Sequence, residues 1–143
     1  MLYLCAVNVA ESNVVDTESS KVYKDIINFA ERMRDTADMK TISVCSKEFD
    51  AQYVEDCSTH LEDFSASSLC LDKDDLLIVV GFHLDNEIKQ LCDTLYNLNI
   101  NFIIIPSACY ALDADKSMVA IMSNAYPRKV MPNVIKLSDI YRM

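Results

Sequence analysis

Residues 75–112 read DLLIVVGFHLDNEIKQLCDTLYNLNINFIIIPSACYAL, and the order of patterns within them decides the fold. Asp75–Phe82 (DLLIVVGF) is a continuous apolar run that contains the chain's only glycine, Gly81. A strand covered on both faces has this character. The period then changes. Ile88, Leu91, Cys92, Leu95 and Leu98 recur on one helical face, and Asp85 or Asn86 is placed to cap its start. Asn101–Pro106 (NFIIIP) is a second buried strand. Strand, helix and strand in this order predict a right-handed crossover between parallel neighbours.

The same alternation extends to both sides. Leu2–Val9 (LYLCAVNV) predicts a first buried strand, and Ala10–Ser20 a polar loop in which Ser19 or Ser20 caps the next helix. Val22, Ile26, Phe29, Ala30 and Met33 then recur at helical spacing, opposite Lys21, Asp25, Glu31 and Arg32. Lys40–Lys47 (KTISVCSK) carries β-branched residues at its centre and predicts a strand. Phe49–Asp72 mixes short apolar clusters with polar residues, which fits short helices or an ordered excursion. Ala114–Ala125 places Met118, Ile121, Met122 and Ala125 on one helical face. Val130–Leu137 (VMPNVIKL) predicts a last strand, with Pro132 at an edge or bend. The expectation is a single α/β domain over residues 1–143: a three-layer, mainly parallel, doubly wound sheet with helices on both faces. Leu2–Val9, Asp75–Phe82 and Asn101–Pro106 are expected as neighbouring inner strands.

Composition narrows the function classes. The 143-residue chain is 51% hydrophobic and 24% charged, ample for one core. Its net charge of -9 disfavours a nucleic-acid partner and an anionic membrane surface. No apolar run reaches the roughly 20 residues of a membrane span. One glycine cannot build a Gly-rich phosphate loop of either common kind. Cys5, Cys45, Cys57, Cys70, Cys92 and Cys109 are scattered, without a C-x-x-C pair, which disfavours zinc and a disulfide framework. The opening run lacks a basic leader segment. These features predict a cytoplasmic, reducing setting and no cofactor.

Ligands of such sheets bind outside the carboxyl ends of the strands. That places Asn8, Glu11, Ser46, Lys47, His83, Asp85, Glu87 and Ser107 near any site. His60, His83, Asp85 and Glu87 offer imidazole and carboxylate groups of the kind that hold zinc or manganese, though a solvated turn and a helix cap explain the same carboxylates. No metal site is assigned on this basis.

Val79, Val80 and Gly81, then Asp85, then Ala108 and Cys109 follow one another as in the isochorismatase-like cysteine hydrolases. That family has a strand ending V-V-G, a T-D-x-C helix start and a strand ending near D-A-C, and this chain resembles it over Val79–Cys109, with Ser107 replacing the last aspartate. More weakly, Phe64, Ser67 and Leu69 follow its F-x-x-T-x-L pattern, and AVNVAESN stands where the family has I-D-x-Q-x-D-F. The resemblance implies a Rossmann-like three-layer fold and frequent self-association, hence a homo-oligomer. It also implies a site of aspartate, lysine and nucleophilic cysteine. Here those positions are Asn8, one of Ser58, Thr59 and His60, and Glu87. Asparagine is no base, and a glutamate cannot do thiolate chemistry.

The expectation is therefore a catalytically degenerate member, a pseudoenzyme. It would serve as a binding or interaction domain for a protein or small molecule, with no catalytic residues. Its candidate pocket is Asn8, His60, His83, Asp85, Glu87, Ser107 and Cys109. A hydrolase rewired around Glu87, His83 or Cys109 is the alternative. An open polar pocket at the strand ends would favour the hydrolase; filling by Phe82 and Tyr110 would favour the binding domain.

Overall fold

The computed structural model describes residues 2–9, 13–33, 39–45, 59–60, 71–82, 84, 87–110, 116–134, 137 and 139. Within them the chain forms β1 (Leu2–Val7), α1 (Thr17–Met33), β2 (Met39–Cys45), β3 (Thr59–His60), β4 (Leu76–Phe82), α2 (Glu87–Asn97), β5 (Phe102–Tyr110) and α3 (Lys116–Ala125). The strands make one sheet in the order β3-β2-β1-β4-β5, and every pairing is parallel. β1 sits at the centre, paired from Leu2 to Val7 with Met39–Val44 on one side and Leu76–Gly81 on the other.

Side-chain alternation along the strands divides the core. Cys5, Val7, Leu77, Val79 and Ile104 join Ile88, Leu91, Cys92 and Leu95 of α2 and Met122 of α3 in one buried cluster. Leu4, Ala6, Ile78, Val80, Ile105 and Ala108 join Val22, Ile26 and Phe29 of α1 in the other. This explains the unbroken apolar runs: a parallel strand with cover on both faces has no polar side to alternate with. Each fully buried Leu, Ile or Phe adds roughly 1.5–3 kcal/mol relative to exposure.

Several expectations need correction. β1 and β4 are inner neighbours as expected, and β5 pairs with β4 in parallel, but among the described residues β5 is the sheet's edge. β5 also does not stop at Pro106. It pairs Phe102–Ile104 with Leu77–Val79, bulges, and resumes with Cys109 on Gly81 and Tyr110 on Phe82. Proline has no N–H to give a ladder, so the interruption falls where Pro106 stands. The described residues of Val130–Leu137, which leave out 135 and 136, form no strand. Val130 makes one isolated parallel bridge to Ile104, and residues 132–133 turn away. Val134 and Leu137 are nonetheless buried in the α1-side cluster. Leu98 leaves the helical face and is half exposed, because α2 ends at Asn97. The acidic run Asp72, Asp74 and Asp75 is a turn, in which Asp72 N–H donates to the Asp75 carboxylate at 2.9 Å and Asp74 N–H to that of Asp72 at 2.9 Å.

α1 begins earlier than expected, and its cap is Asp16 rather than Ser19 or Ser20. Ser19 N–H donates to Asp16 Oδ1 at 2.7 Å, while Asp16 N–H donates back to Ser19 Oγ at 2.9 Å. The reciprocal pair satisfies donors that the first helical turn leaves open. Most of Phe49–Asp72, including Phe64, Ser67 and Leu69, lies outside the described residues, as do Met118's side chain and Tyr141–Met143.

The cysteines also depart from expectation. Cys5, Cys92 and Cys109 are free thiols, but Cys45 at the end of β2 is disulfide-bonded to a cysteine outside the described residues. Scatter along a sequence does not measure distance in space, and a bridge removes the support that scatter lent to a reducing compartment. Thiol titration of the denatured, unreduced chain is expected to leave at least two of the six cysteines unreactive, with all six reacting after reduction. Six reactive thiols before reduction would contradict the bridge.

Candidate functional site

The carboxyl ends of β1, β4 and β5 meet in one row, Val7 beside Gly81 and Gly81 beside Cys109. Gly81 has φ +133°, and a Cβ built on it would lie 2.1 Å from the Val7 carbonyl oxygen. No side chain fits there, and an L-residue rarely adopts that backbone. The only glycine in the chain is thus where two inner strands come too close for any other residue.

Asn8 follows Val7 and turns the chain out of the sheet. Its φ is +51°, a left-handed conformation that asparagine tolerates better than most residues. Its N–H donates to the Val44 carbonyl at 2.9 Å, and its own carbonyl accepts from Asn13 Nδ2 at 2.6 Å. The residue is buried. Asn8 therefore has a backbone job at the position where the resemblance implies a catalytic aspartate.

Glu87 is the first residue of α2, and it too is buried. Leu84, three residues before it, donates its N–H to the Tyr110 carbonyl at 3.1 Å, fastening the entry to α2 onto β5. His83 and Asp85 lie outside the described residues, as does the side chain of His60, whose backbone forms the edge strand β3. Ser46, Lys47 and Glu11 are outside them too. Ser107 sits in the β5 bulge, exposed, and donates its hydroxyl to the Val134 carbonyl at 2.8 Å. It holds the segment after α3 against the sheet.

The free thiols are ill suited to nucleophilic work. Burial pushes Cys5 and Cys109 each up to about 12, and pushes Cys92 up as well. Cys109 Sγ lies 3.8 Å from the Val79 carbonyl oxygen, bridging the two strands. A thiol held this far above neutrality supplies almost no thiolate.

Phe82 and Tyr110, both buried, pack edge to face with centroids 6.0 Å apart. The Tyr110 hydroxyl donates to Asp16 Oδ2 at 2.5 Å, so one aspartate caps α1 and ties it to the far end of β5. Sequence reasoning missed both partners. The spacing of Asp16 and Ser19 in D-T-E-S was a readable cap signal, whereas Tyr110 is 94 positions from Asp16 and has no local signature. Among the described residues no group of three or more His, Cys, Asp or Glu could hold a metal ion, and no helix is long and apolar enough to cross a membrane.

The Tyr110 hydroxyl first, then the Ser19 backbone N–H, holds the Asp16 carboxyl below its ordinary range. A depressed carboxylate stabilises the fold above its unfolded value, about 4, and loses that contribution as pH falls through the folded value. Tyr110→Phe is therefore expected to unfold more easily than the parent at pH 7, with the gap narrowing below about pH 4. Urea unfolding across pH reads this, and a gap that does not change with pH would refute it. No family model, curated protein or solved structure matches this chain.

Proposed function

We propose that this chain is a non-catalytic binding or interaction domain on a three-layer, doubly wound, isochorismatase-like fold. The observation that carries the reading is Glu87, buried at the first turn of α2, where the resemblance implies a nucleophilic cysteine. Asn8 supports it, since the aspartate position is given to a left-handed turn. The raised thiols of Cys5, Cys92 and Cys109 offer no substitute nucleophile. Phe82 and Tyr110 support it further by filling the α1 side of the strand ends with aromatic rings. The strand order supports the doubly wound arrangement, because the chain moves outward from β1 in both directions. What such a domain holds is a small molecule, a protein or a second copy of itself.

The alternative is a hydrolase rewired around Glu87, His83 or Cys109. Its specific support is the burial of the Glu87 carboxyl at a helix start, an unusual place for a group with only a capping role. The binding-domain reading expects that purified protein turns over amide and isochorismate-type vinyl ether substrates no faster than buffer, with Glu87→Gln indistinguishable from the parent. Removing a catalytic nucleophile costs several orders of magnitude in rate. Robust turnover abolished by Glu87→Gln would establish the rewired hydrolase instead.

A further inference from the structure

A concavity lies at the amino end of β5, where the chain leaves α2 and enters the sheet. It encloses about 330 Å³ and is lined by Tyr96, Asn99, Ile100, Asn101, Phe102 and Lys129. Its walls are fixed by backbone geometry. α2 ends in a paired turn: Ile100 N–H donates to the Leu95 carbonyl at 3.0 Å and Asn99 N–H to that of Tyr96 at 3.3 Å, with Asn99 at φ +57°. That arrangement satisfies the last carbonyls of the helix and presents the Asn99 side chain outward. Asn101 is held from both sides, its Nδ2 donating to the Lys73 carbonyl at 2.8 Å and its carbonyl accepting from Leu77 N–H at 3.0 Å.

Lys129 enters from the other direction and is equally constrained. Its N–H donates to the Tyr126 carbonyl at 3.1 Å, its carbonyl accepts from Ile104 N–H at 2.7 Å, and Arg128 at φ +68° sets the turn before it. This places the ammonium 5.4 Å from the centroid of the Phe102 ring. No carboxylate pairs with Lys129 among the described residues, in a chain that carries 22 acidic residues against 13 basic ones. Tyr126 packs between Tyr96 and the fully buried Phe102 ring, 5.8 Å from each, and its hydroxyl anchors on Asp93. Tyr96 is thereby backed on one side and 47% exposed, a ring held open to the cleft.

We propose that this cleft is a binding site for a small aromatic carboxylate. A ring stacks on the exposed Tyr96, its carboxylate pairs with Lys129 above the buried Phe102 ring, and the Asn99 amide donates to the second oxygen. Asn101 Oδ1 accepts from a ring hydroxyl or N–H, since its Nδ2 is engaged. The volume lies at the lower end of small-molecule sites, which suits one ring and not a nucleotide. One ammonium matches a monoanion, repels organic cations, and is too little charge for a polyphosphate. The site is far along the sheet from Glu87 and does not depend on whether the strand ends are catalytic.

The test is NMR titration of the full chain with benzoate, beside benzamide, cyclohexanecarboxylate and inorganic phosphate. Saturable shifts confined to residues 96–102 and 129 are expected, with benzoate the tightest of the four. Lys129→Met should weaken benzoate by at least about tenfold, the loss of a charge-assisted hydrogen bond. Tyr96→Leu should remove the preference for benzoate over cyclohexanecarboxylate, and Lys24→Met, on α1, should change nothing. If Lys129→Met loses spectral dispersion, Lys129→Gln replaces it. No saturation at millimolar benzoate, shifts centred elsewhere, equal affinity after loss of the ammonium, or phosphate binding as well as benzoate would each overturn the proposal.

Discussion

At Val7 and Gly81 the two central strands meet backbone to backbone, with no room for a single methyl group. Much else depends on that contact. β1 and β4 are the inner pair from which β2 and β3 extend one way and β5 the other. Gly81 also sets the resumption of β5, because Cys109 finds its register on Gly81 after the bulge at Pro106. Tyr110 then reaches Phe82, Leu84 and Asp16, so the end of β5, the entry to α2 and the start of α1 are joined through one strand end.

This network gives the strand ends a structural character. Asn8 turns the chain, Cys109 bridges two strands, Ser107 pins the segment after α3, and Asp16 serves α1 and β5 together. Of the candidate ligand groups, Ser107 and Cys109 give their side chains to backbone carbonyls, and Asn8 gives its main chain to the turn. Such bonds are each worth about 1 kcal/mol, but leaving their buried partners unmade costs more, which favours keeping them. Glu87 stands apart as a buried carboxyl whose place at a helix start follows from sequence but whose use does not.

The parts of the fold that could be read from sequence were those with strong local periodicity. Leu76–Phe82, Ile88–Leu95 and Phe102–Ile105 announced themselves because burial on both faces, or on one helical stripe, leaves an unbroken or 3.6-residue pattern. The errors fell where geometry is non-local. Pro106 suggests a strand end in one dimension, whereas the neighbouring β4 lets the strand resume beyond it. Val130–Leu137 has strand-like residues, yet among its described residues Val130 and Met131 meet β5 at Ile104 alone, and Val134 and Leu137 fill a core. The Cys45 bridge and the Tyr110–Asp16 bond join distant positions and leave no mark on local pattern. Of the candidate site, the location of Asn8, Glu87 and Cys109 near the strand ends was legible from topology, but their hydrogen-bond duties were not.

The most direct measurement is the unfolding free energy of Gly81→Ala. At an ordinary glycine position alanine stabilises by roughly 0.4–1 kcal/mol, through the unfolded chain. Here the new methyl would meet the Val7 backbone at 2.1 Å in a conformation alanine resists. A loss of about 3 kcal/mol or more, or failure to fold, is expected, with the backbone amides of β1 and β4 exchanging fastest relative to the parent. Stability equal to or above that of the parent would contradict the claim that the Val7–Gly81 contact organises the sheet.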